Sequence, residues 1–138
     1  MIKSNSLLLL TLVSILQFLS SCEKEETFVI PTLEGEYEGM FTVEYKNGNI
    51  FSNPVTITFN SNNYTSSKGE SFFPAGGEGS FEIGNDRITF SDTNYYTANF
   101  DWNLILNGEY DIELSENIIV FTADKNGLGS YTYRMSLK

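Results

Sequence analysis

The groups that usually attack, shuttle protons or hold a metal are scarce in this sequence. It has no histidine and one cysteine, Cys22. That removes the commonest general base and metal ligand and leaves no thiol pair for a disulfide. A serine nucleophile would need lysine or a carboxylate as its base, and no Gly-x-Ser-x-Gly occurs. Lys68, behind Ser66 and Ser67, reads as an exposed cation at a strand end. Carboxylate pairs do occur, Glu36 with Glu38 and Asp111 with Glu113. A glycosidase needs one acid with a raised pKa in a dry cleft, whereas these pairs fall on the outward parity of strands. Asp92, Asn94, Asn99 and Asp101 offer oxygens in one loop, but without the spacing of a calcium loop. Gly76-Gly77-x-Gly79 leads into a strand rather than a helix N-terminus, so it makes no phosphate cradle. The expectation is a protein that is not an enzyme, with no catalytic residue, metal or cofactor.

Aromatic side chains are the abundant resource. The chain has 11 Phe, 8 Tyr and 1 Trp, and six of these fall in two loops. Phe72 and Phe73 share one; Tyr95, Tyr96, Phe100 and Trp102 share the other. Exposed at the mouth of a barrel, such rings stack on a sugar face or line an apolar pocket. The competing reading has them plugging the barrel end as a small core. Inward strand aromatics such as Tyr37, Phe41, Tyr110, Tyr131 and Tyr133 either line a cavity or fill the interior, and their bulk favours filling.

The elements that would position these side chains are strands. From Tyr37 the apolar parity runs Tyr37, Gly39, Phe41, Val43, Tyr45, with polar residues between, which is the period of a half-buried strand. Asn47-Gly48 follows as a hairpin signal. The second strand carries Val55, Ile57 and Phe59, with Pro54 expected at its start, where a missing N–H is tolerable. A short third strand follows around Tyr64–Ser67, then a loop at Gly69–Gly77. The fourth strand carries Phe81 and Ile83, the fifth Ile88 and Phe90. Asp92–Asn103 is irregular. A long sixth strand is expected over Leu104–Leu114, with Gly108 on its inward parity. The seventh spans Ile118–Ala123, and the last carries Tyr131, Tyr133, Met135 and Leu137. Eight antiparallel strands in sequence order close into an up-and-down barrel, which removes both sheet edges; a β-sandwich is the alternative.

Residues 1–21 read as an address rather than as fold. Lys3 precedes an apolar run from Leu7 to Leu19, the length of a signal-peptide core and too short to span a bilayer comfortably. Leu19-Ser20-Ser21-Cys22 resembles a bacterial lipobox. That resemblance implies cleavage before Cys22, a diacylglycerol on its sulfur and an acylated amine, anchoring residues 22–32 as a tether to a membrane. Glu23-Lys24-Glu25-Glu26 is similar to the export signals of Bacteroidota lipoproteins. This implies the outer membrane, lipid-anchored and facing the cell surface, with the periplasmic face as the alternative.

Within residues 33–138, Gly35-x-Tyr37-x-Gly39 and Trp102-x-Leu104-x-Leu106-x-Gly108-x-Tyr110 resemble the small lipocalin-like lipoproteins of Bacteroidota. A lipocalin's first strand usually opens on Gly-x-Trp, and Tyr37 stands in that aromatic place. The chain carries 8 Lys and Arg against 18 Asp and Glu, a balance that argues against nucleic acid as a partner. The expected function is a non-catalytic cell-envelope lipoprotein whose barrel binds a small apolar or glycan-like ligand. The alternative is an accessory outer-membrane lipoprotein acting through protein–protein contacts.

Overall fold

The computed structural model describes residues 32–138. The expected leader, Cys22 with its expected lipidation, and all of the expected tether except Thr32 lie outside them. The described residues form eight strands: β1 (Gly35–Tyr45), β2 (Ile50–Asn60), β3 (Asn63–Ser66), β4 (Gly77–Ile83), β5 (Arg87–Asp92), β6 (Gly108–Ser115), β7 (Ile118–Lys125) and β8 (Gly129–Leu137). Each pairs antiparallel with its sequence neighbours, and β1 pairs with β8, so the sheet closes as an up-and-down barrel. The lipocalin-like architecture is therefore the one adopted, and the sandwich alternative is excluded.

Alternation decides which side chains face inward. Phe41, Val43, Val55, Ile57, Phe59, Ile88, Phe90, Tyr110, Phe121, Tyr131, Tyr133 and Met135 are buried, all on the parity read from the sequence. Their rings run in contact through the interior: Phe59 to Phe81 at 5.0 Å, Phe90 to Phe121 at 5.3 Å, Phe121 stacked on Tyr133 at 4.9 Å, and Tyr133 against Phe41 at 4.6 Å. Burial of each such ring is worth roughly 2–3 kcal/mol, with about 0.5–1.5 kcal/mol more from ring pairing. Aromatic packing thus occupies the barrel's interior.

The seam between β1 and β8 needs a residue without a side chain. A Cβ on Gly39 would lie 1.9 Å from the Arg134 carbonyl oxygen, so only glycine lets the two strands coil this tightly.

Two expectations are corrected. Pro54 does not start β2; it sits inside it, opposite Met40. The Thr56 N–H points away from β1, to Ser67 Oγ at 2.9 Å, and Pro54, two residues earlier, faces the same side. There β3 pairs only with Ile57–Asn60, so the missing N–H costs no ladder bond. The sixth strand begins at Gly108 rather than Leu104. Gly108 turns the chain with φ of +89°, and Trp102–Leu104 is a short 3₁₀ turn. Ile105 and Leu106 are both buried, which strand alternation forbids; the apparent parity there came from a loop that tucks both side chains under itself.

The ends of the barrel differ. At one end lie the entry to β1, the exit of β8 and the short turns 61–62, 84–86 and 116–117. At the other, the mouth, lie the turns 46–49 and 126–128 and the long loops 67–76 and 93–107. Every loop aromatic singled out in the sequence belongs to the mouth.

Candidate functional site

The mouth is built on an incomplete stretch of wall. The β6–β7 ladder stops at Asp111 opposite Thr122, although β6 continues to Gly108 and β7 to Lys125. Residues 108–110 stay paired with β5, and residues 123–125 with β8. The wall therefore parts between them, and a cleft of about 390 Å³ opens there, lined by Trp102, Asn103, Asn107, Gly108, Ala123 and Lys125 among others.

Lys125 crosses this opening. It continues the inward parity of Ile119, Phe121 and Ala123, and its ammonium donates to the carbonyls of Ile105 at 2.7 Å and Asn107 at 3.3 Å. It also lies over the Tyr110 ring, 4.9 Å from its centre. These contacts hold the β5–β6 loop to β7 where backbone pairing has ended. Burial lowers the Lys125 pKa to about 8, partly countered by Asp101. The sequence reading ended the seventh strand at Ala123, short of Lys125; the inward parity of β7, carried two residues further, was the signal for it.

Side-chain amides rim the cleft. Asp101 accepts from the Asn103 N–H at 3.0 Å and from its amide at 2.9 Å. The Asn126 side-chain amide donates to Asn103 Oδ1 at 2.6 Å, joining the 126–128 turn to the long loop. Asn107 accepts from the Asp92 N–H at 3.0 Å. Asp92 sits at the inner corner, within 3.4 Å of both the Tyr64 and Tyr96 hydroxyls and 3.1 Å from the Asn94 amide. Its charge and burial together push the Tyr96 pKa up to about 12, burial being the larger cause. Among the described residues no three acidic, Cys or His side chains converge to hold a metal.

The six aromatics divide by environment. Trp102 and Phe72 are 57% and 49% exposed, and Tyr95 is fully exposed. Tyr96 and Phe100 are half-buried between them. Ring centres run from Phe72 to Phe100 at 6.1 Å, Phe100 to Tyr96 at 5.1 Å and Tyr96 to Trp102 at 6.0 Å. Phe73 turns inward instead, 5.0 Å from Phe41, and closes the mouth end of the core. Phe72 is turned outward by two successive left-handed residues, Ser71 and Phe72 at φ of +52° and +63°. That conformation costs about 1 kcal/mol or more per residue. Lys68 lies 4.5 Å from the centre of the Phe72 ring, the one contact of note for the cation read as a bare strand end.

This arrangement suits binding. An indole face beside amides that donate and accept is what a polyhydroxylated ligand requires. No protein-family model, no curated protein and no solved structure matches the chain.

Proposed function

We propose that this protein is a non-catalytic cell-envelope lipoprotein that binds a glycan-like ligand at the mouth of its barrel. The observation that carries the reading is the cleft at the parted β6–β7 wall, where exposed Trp102 stands beside Asn103, Asn107 and Asn126. A sugar ring offers an apolar face for stacking and a rim of hydroxyls for the amides. The aromatic packing of the interior favours a ligand held at the mouth over one swallowed by the barrel. Lys125, spent on two carbonyls and an aromatic face, serves as a strut in this reading rather than as a nucleophile. The lipobox-like segment supplies the address: acylation of Cys22 at the outer membrane, with the chain entering the barrel at the end opposite the mouth.

Trp102 is the chain's one tryptophan, so its fluorescence reports on the cleft without a label. Titration with soluble neutral oligosaccharides is expected to change its emission saturably, and Trp102→Ala to abolish the heat of binding in calorimetry. No saturable response to any glycan tested would overturn the ligand assignment. For the address, Cys22→Ala is expected to move the protein from the membrane to the soluble fraction; retention of the variant would refute the lipobox.

A second reading, an accessory lipoprotein working through protein contacts, is favoured by Ile50, Phe51 and Leu128. Ile50 and Phe51 open β2 and Leu128 lies on the 126–128 turn; all three are exposed apolar residues near the mouth, and none lines the cleft. Co-purification of one envelope protein at near-stoichiometric yield, lost on Phe51→Ser, would support it.

A further inference from the structure

The cleft beside Trp102 has a neighbour. A second depression of about 520 Å³ lies under Phe72, Tyr95 and Phe100, floored by Ala75, Gly76 and Gly77. The two share Asn94 and Tyr96 as a common boundary. That boundary is fixed in place, since the Tyr96 hydroxyl donates to the Gly76 carbonyl at 3.1 Å. Tyr96 and neighbouring Phe100 are half-buried, while the rings at either end, Trp102 and Phe72, stand about half exposed. The two adjoining hollows, with an exposed ring at each end, read as one groove. Four rings line it in three steps of 6.1, 5.1 and 6.0 Å.

We propose that the ligand is an extended oligosaccharide, about one unit per ring, laid across the mouth from the Trp102 cleft to the Phe72–Tyr95 hollow. This inference rests on the glycan reading of the Trp102 cleft and extends it. A single sugar would use one hollow and leave the other ring wet. A chain engages both, and the second hollow then acts at high effective concentration, so affinity rises steeply with length. The polar boundary contributes as well: the Asn94 side-chain NH2 is spent on the Glu78 carbonyl and Asp92, while the residue is exposed and its Oδ1 is left to accept from a chain passing over it.

The test is a length series. Neutral oligosaccharides of two to six units of one linkage type are titrated by calorimetry against the intact protein in detergent micelles, and against a Phe72→Ala/Tyr95→Ala variant. Both replaced side chains are exposed, and circular dichroism confirms that the variant folds. Affinity is expected to rise at least tenfold between two and four units and then level off. The variant is expected to keep the affinity for two units and lose the gain. If affinity does not depend on length, or if the variant loses short and long ligands alike, the groove is overturned while the Trp102 site stands. If no oligosaccharide of any length binds, the glycan reading itself has failed, and the inference with it.

Discussion

Tyr64 and Tyr133 are both buried tyrosines with opposite bonding. The Tyr64 hydroxyl donates to the Leu106 carbonyl at 2.7 Å, tying β3 to the β5–β6 loop. The Tyr133 hydroxyl has no hydrogen-bond partner among the described residues. Removing a made bond costs about 1–2 kcal/mol, whereas removing an unmade one relieves a desolvation penalty. Tyr64→Phe is therefore expected to lower the urea midpoint, and Tyr133→Phe to leave it unchanged or raise it. The reverse order would show that Tyr133 is bonded after all. At this scale the sequence was informative about direction and poor about partners. Parity placed Tyr110, Tyr131 and Tyr133 inward, because alternation is a property of the local backbone. Parity carried past Ala123 would have pointed Lys125 inward, but Asp124-Lys125-Asn126-Gly127 has the composition of a turn, and the partners that make Lys125 a strut come from a loop about 20 residues away.

Among the elements, β1 carries the closure. It pairs over nearly its whole length with both β2 and β8, and its tightest point is Gly39. A methyl group there would meet the backbone of Arg134 and Met135, at 1.9 and 2.8 Å, and backbone yields far less readily than a side-chain tip. Gly39→Ala is expected to cost more than about 3 kcal/mol and to lower Tm by at least about 10 °C. A shift within 2 °C would mean that the seam can relax. The count and order of strands put the barrel ahead of the sandwich, and the barrel is what forms; the register of the seam was not legible, since β1 and β8 lie at opposite ends of the domain sequence. What alternation and turn signals did supply was the number of strands and nearly all their bounds. They failed at β6, where the spacing of Leu104 and Leu106 mimicked a strand that the burial of Ile105 rules out, and at β2. There the rule about proline was right but the edge it needed lay inside the strand, created by the shortness of β3.

For the molecule as a whole, pH sets two opposing trends. The Lys125 pKa is lowered from 10.5 to about 8 by burial. Between those values the unfolded chain holds more protons than the folded one, so stability rises with pH across that window. Tyr64, Tyr110, Tyr131 and Tyr133 are raised above 10.0, in each case mainly by burial. Above pH 10 the unfolded chain loses tyrosine protons that the folded one keeps, so stability falls. Urea midpoints at fixed ionic strength are expected to climb from about pH 8 and turn over near pH 10. In Lys125→Met the climb disappears and the alkaline fall remains. A climb that survives the substitution would assign it to another group.

The last strand ends beside the first: the Lys138 N–H donates to the Glu36 carbonyl at 2.9 Å. The barrel is thus nearly a ring in sequence as well as in space, and the rim at which the chain enters it is a matter of where that ring is cut. A short linker joining 138 to 35, with new ends opened at Asn47 and Gly48, would keep every strand neighbour while moving the ends to the opposite rim. If the proposed anchor were moved to that permuted end, the mouth of the barrel would face the lipid instead of the medium.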